Sequence, residues 1–154
     1  MKKKKSNGDN ILIGVAGEYL VAGELSQRGY IASITMRNTR GIDILASNRD
    51  ATKSVGIQVK STKHNDAHSW ILNEKAEKYY ADNLFYIFVN LKKENQRPDF
   101  FIIPSKVVAK QIEKEYAEWL KIPNRSGLEH RPTTMRKFFD REGIYLENWD
   151  ILNL

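Results

Sequence analysis

The chain contains no cysteine, which excludes a disulfide scaffold, a cysteine nucleophile and thiolate metal ligation. No run of about 18 apolar residues occurs, so the sequence offers nothing to span a membrane. The basic first residues lead to Ser6-Asn7-Gly8-Asp9 rather than to an apolar signal core, and a soluble cytoplasmic protein is expected. No internal repeat, low-complexity tract or Pro/Gly/Ser linker divides the 154 residues. The composition that remains, 41% hydrophobic and 29% charged, suits one domain with one core rather than a disordered tail.

Bases are missing from residues 6–27, which carry three acids. The formal charge of +6 is therefore local: residues 1–9, with Lys2 to Lys5, are expected to be a flexible basic arm, and residues 28–63 hold seven bases against two acids. Residues 64–154 balance. A polyanionic partner suits that distribution.

Asp9 or Asn10 is placed to cap a helix running to about Arg28, with Gly29 as its stop. Tyr30–Thr35, Gly41–Ala46 and Ser54–Lys60 read as three strands, the first two separated by the turn signal at Asn38-Thr39-Arg40-Gly41. Glu74–Asp82 reads as a helix, and Leu84–Leu91 as a strand buried on both faces. Phe100–Ile103 is a shorter strand, and Pro104-Ser105 opens a helix to about Lys121. Met135–Arg141 is expected to be helical and Tyr145–Leu154 irregular. The predicted class is α/β, a central mixed sheet flanked by helices. A single domain over 10–154 would have its core at about 11–105 and a helical extension at 106–154.

Strand alternation puts Ile42, Ile44 and Ala46 on one face and Asp43 on the other. It likewise separates Val55, Ile57 and Val59 from Gln58 and Lys60. If the second and third strands form a hairpin, Asp43, Gln58 and Lys60 converge opposite the apolar rows. Such a group is poor core material, although an ordinary solvated hairpin face would also carry it. On the first helix, Glu18 lies within about 60° of Ile11, Gly14, Val15, Val21, Ala22 and Leu25. A carboxylate in that stripe needs a cation, either Lys60 in a salt bridge or a divalent metal shared with Asp43.

These residues resemble the PD-(D/E)XK nuclease superfamily: Gly41-Ile42-Asp43, then Gln58-Val59-Lys60, with a glutamate in the preceding helix. The resemblance is to its Holliday junction resolvase-like and Mrr-type restriction endonuclease branches, and covers roughly residues 11–105. In the Mrr-type branch glutamine commonly replaces the acid of the second motif, as Gln58 does here. No proline precedes Asp43. The resemblance implies a restriction-endonuclease-like core and Mg²⁺- or Mn²⁺-dependent cleavage of DNA. Asp43, Glu18, the Gln58 amide oxygen and the Val59 carbonyl would be ligands, and Lys60 would position the attacking water. Arg37, Arg40, Lys53 and Lys63 would contact DNA phosphates, which makes affinity fall steeply with salt, and Ser61 and Thr62 would contact a phosphate or hold Lys60 in place. Symmetric cutting needs a two-fold pair of sites, so the resemblance leaves room for a homodimer.

Two other functions compete. One is a nucleic-acid-binding module of the same fold whose catalysis is weak or lost. The other is a partner-binding module in which Glu18, Asp43 and Lys60 form a structural ion network. His64 and His68 have the spacing of zinc ligands on a helix, but Asn65-Asp66 favour a loop. Trp70, Tyr79 and Tyr80 would stack on bases or, more simply, pack in the core or at its rim.

Overall fold

The computed structural model describes residues 7–36, 40–63, 66 and 68–154. The lysine run, Arg37, Asn38, Thr39 and His64 fall outside them. Helix α1 spans Asn7–Gln27, and strands β1 (Ile31–Ile34), β2 (Ile44–Ser47) and β3 (Ser54–Lys63) follow as an antiparallel meander. Strands β4 (Ser69–Asn73) and β5 (Leu84–Leu91) flank a single 3-10 turn at Glu74–Glu77. Strand β6 (Asp99–Pro104), helix α2 (Ser105–Lys121), strand β7 (Met135–Phe139) and a 3-10 turn at Trp149–Leu152 complete the chain.

The main sheet has the order β1-β2-β3-β5-β6, with β3 parallel to β5 and the other pairs antiparallel. The chain is thus an α/β fold on a mixed sheet. Leu84–Leu91 is apolar without alternation because it is an interior strand covered on both faces. On one face Val21 and Leu25 of α1 join Ile44, Ala46, Val55, Ile57 and Val59. On the other, Tyr86 and Phe88 pack beneath Val108 and Ile112 of α2 and beneath a second sheet formed by β4 and β7.

That second sheet corrects two expectations. Met135–Phe139 is a strand, not a helix, so the segment after residue 105 is not purely helical. Its alternation buries Arg136 and Phe138 and exposes Met135 and Lys137, a period of two that short length disguises. Glu74–Asp82 gives one 3-10 turn and no longer helix, because Asn73 caps it at Lys75 and Ser69–Asn73 upstream is drawn into pairing with β7. Trp70 is core: it stacks on Phe88 at 5.0 Å and lies 4.9 Å from Phe101.

Helix α1 approaches the sheet through Gly17. A Cβ there would lie 1.7 Å from Ser61 Oγ and 2.9 Å from Ser61 Cβ, so only glycine fits. Ile11 is 55% exposed, outside the apolar face expected for it, and its neighbour Leu12 is 68% exposed.

The far end of α1 is fastened by ion pairs. Arg97 bonds Glu147 at 2.6 Å and Glu24 at 3.0 Å, and Trp149 donates to Glu147 at 2.9 Å. Burial alone would raise the Glu147 carboxyl, but hydrogen bonds from Arg97 and Trp149 outweigh it and hold it below its ordinary value. A depressed carboxyl stabilises the fold above the unfolded value of 4.5 and loses that contribution as pH falls through the folded value. Thermal melts of wild type and Glu147→Gln are expected to differ at neutral pH and to converge below pH 4.5.

Candidate active site

Strand β2 begins at Ile44, three residues later than the sequence suggests, because the chain turns at Arg40–Gly41 and bends again at Asp43 before the ladder starts. Ile42 consequently turns to the face of Gly56, where its Cδ1 lies 3.3 Å from the position a Cβ on Gly56 would take. It does not share the face of Ile44, as alternation had predicted. Asp43 sits at the point where β2 parts from β3. Its amide donates to Ile57 O at 2.8 Å, and its Oδ2 accepts the Val59 N–H at 2.7 Å. The side chain thus takes over the ladder where backbone pairing stops. Strand geometry turns the Val59 carbonyl to the same side as its N–H.

Gln58 and Lys60 lie on the face opposite Val55, Ile57 and Val59, beside Tyr86 and Phe88 of β5. Burial pushes the Tyr86 phenol up to about 12, and the charges of Tyr79 and Asp43 add to it. Tyr86 pairs with Gln58 across β3 and β5 and so stands on the Gln58 side of the sheet. Among the described residues Lys60 forms no ion pair, so a Glu18–Lys60 bridge does not explain its presence on that half-buried face.

Glu18 is half-buried on α1, which covers the other face. It shares no sheet face with Gln58 and Lys60, although its neighbour Gly17 abuts Val59 and Ser61. Ser61 points to that helix, and its Oγ is buried with no hydrogen-bond partner among the described residues. Thr62 Oγ1 approaches Val89 O at 3.4 Å. Lys63 is exposed at the end of β3, and Arg40 is exposed beside Gly41. Lys53 belongs elsewhere: it lies at the hairpin turn, bonded to Asn153 at 3.1 Å. Seven residues of extended strand separate it from Lys60, about 23 Å. His68 packs against Phe101 at 5.0 Å, as a core-rim residue.

No family model and no curated protein matches the chain. Among solved structures it is similar to Hjc, a Holliday junction resolvase from Archaeoglobus fulgidus, at 14% identity and a TM-score of 0.38. The match covers 81% of this chain and 88% of that one. A likeness of that size identifies neither family nor activity, so what this chain does has to come from its own residues.

Among the described residues no three His, Cys, Asp or Glu side chains gather as a metal cluster, so a cation here would depend on neutral oxygens and water beside Asp43. Asp43 keeps one carboxylate oxygen beyond the Val59 bond, and the Gln58 amide and Val59 carbonyl add neutral oxygens. Mg²⁺ commonly takes one or two protein carboxylates and completes its shell with water and phosphate oxygens. Tyr79 and Tyr86 are neighbours of Asp43 that strand reading passed over. The Gln58–Tyr86 pairing would have pointed to Tyr86 once β3 and β5 were known to be adjacent and parallel. Nothing in sequence spacing points to Tyr79, which reaches Asp43's turn from the segment after the 3-10 turn.

Proposed function

We propose that this chain is a metal-dependent DNA endonuclease of the PD-(D/E)XK type. The observation that carries the proposal is Asp43, fixed through the Val59 N–H at the parting of β2 and β3, with Gln58 and Lys60 flanking Val59 on β3 and Lys60 in no ion pair among the described residues. Mg²⁺ or Mn²⁺ would be held by Asp43, Gln58 and the Val59 carbonyl, and would supply charge neutralisation at the phosphate. Glu18, starting from the opposite face, would take part through water. Lys60 would orient the attacking water and offset charge on the phosphate. Arg40, Lys63 and Thr62 would hold the DNA backbone.

The deciding assay incubates wild type with linear, supercoiled, single-stranded and four-way-junction DNA, with Mg²⁺, Mn²⁺ or EDTA. Metal-dependent cleavage is expected. Symmetric nicks in opposite strands of the junction would favour a homodimer. Binding that weakens from 50 to 200 mM salt without cleavage would favour the second reading, a catalytically silent binding module. The uncharged Gln58 is the feature that favours that alternative. Because Gln58 leaves the site short of a carboxylate, Gln58→Glu is expected to tighten Mg²⁺ binding by about tenfold in calorimetry. An unchanged affinity would remove Gln58 from the ligand set.

A further inference from the structure

The segment that delivers Asp43 is held on two sides by β-strand neighbours. Thr35 donates its Oγ1 to Ile42 O at 2.7 Å and its amide to Asp43 O at 2.9 Å. From the other side, Asp43 N donates to Ile57 O at 2.8 Å. These bonds fix residues 42 and 43 but leave Arg40 and Gly41 to be held by something else. Tyr79 does this. Its hydroxyl donates to Arg40 O at 3.1 Å, and its ring lies flush on Gly41. A Cβ on Gly41 would fall 2.5 to 2.9 Å from three atoms of the Tyr79 phenol. Gly41 therefore has two reasons to be glycine, its positive φ and the ring above it.

We infer that Tyr79 is a positioning residue: it clamps the Arg40–Gly41 turn and so sets where the Asp43 carboxylate stands relative to Val59, Gln58 and Lys60. Its importance for cleavage rests on the nuclease proposal, but its effect on Asp43 does not. Tyr79 comes from the crossover between β4 and β5, so the clamp ties the placement of Asp43 to a segment distant in sequence. With the clamp released, the turn loses its only hold on the Arg40 side among the described residues, and the Asp43–Val59 bond loosens. A misplaced carboxylate lowers the rate of a bound substrate's reaction without weakening phosphate contacts made elsewhere.

The Val59 amide reports this directly, because its N–H is bonded to Asp43 Oδ2 rather than to a strand. The next amide, Lys60, turns by strand alternation toward β5 and serves as the control. In Tyr79→Phe, which keeps the ring, Val59 amide exchange is expected to accelerate about fivefold, the worth of one neutral hydrogen bond, while Lys60 stays within twofold. Tyr79→Ala should accelerate Val59 further. In the cleavage assay kcat should fall with KM for DNA unchanged. Val59 exchange unaltered in both variants would overturn the inference, as would equal acceleration of all β3 amides, which marks general loosening. A wild-type protein that fails to cleave any DNA would end the nuclease proposal instead. Exchange at Val59 would still decide what Tyr79 does.

Discussion

Asp43→Ala is expected to lower DNA cleavage by more than about 10³-fold while leaving DNA affinity within a few fold. The effect is large because one side chain has two duties. It supplies a carboxylate beside the Gln58-Val59-Lys60 stretch, and its Oδ2 occupies the Val59 N–H, which lies beyond the β2–β3 register. Alanine removes the charge and also strands a backbone donor, so a modest fall in melting temperature should accompany the loss. Lys60→Ala should cost about 10²- to 10⁴-fold in kcat, the range for a group that positions or activates a nucleophile. The melting temperature should stay close to wild type, because Lys60 forms no ion pair among the described residues. Rates and melts measured together separate these roles. A Lys60→Ala protein that cleaves like wild type would remove Lys60 from the chemistry.

The second large effect concerns stability at the α1–β3 contact. Gly17→Ala places a methyl 1.7 Å from Ser61 Oγ and 2.9 Å from Ser61 Cβ. Rotating the hydroxyl away relieves the first clash but not the second, so helix and strand must separate. A cost of about 1–3 kcal/mol is expected, a drop of roughly 3–10 °C in melting temperature. Ser61→Ala should do the opposite, neutral or slightly stabilising, because its Oγ is buried without a partner. Ser61→Ala should also leave DNA binding unchanged. A large loss of binding would restore Ser61 to the phosphate contacts from which its burial removes it.

The parts of the fold most legible in the sequence are those set by local pattern. Helix α2 and strand β5 fall where an apolar stripe after Pro104-Ser105 and an uninterrupted apolar run place them. Gln58 and Lys60 are legible as sharing a face because alternation along β3 depends only on register. Ile42 escapes that logic, since the chain bends at Asp43 before the β2–β3 ladder begins at Ile44. Strand β7 is hidden because five residues, two of them charged, reach strand conformation only through pairing with β4, more than sixty residues earlier. The side of the sheet covered by α1 is also a tertiary fact. Glu18 belongs to the helix's apolar stripe, yet that stripe faces Val59 and Ser61, away from Gln58 and Lys60. Tyr79 is absent from any sequence motif because its partner is a backbone carbonyl, which leaves no trace in residue type.

Cleavage by Asp43→Asn tests the central claim most directly. Asparagine keeps an oxygen for the Val59 N–H and nearly the same shape, so the fold and its melting temperature should be preserved while the negative charge disappears. The expected result is Mg²⁺-dependent cleavage of at least one DNA form by wild type and none above background by Asp43→Asn. Equal cleavage by both proteins would contradict a metal-holding Asp43.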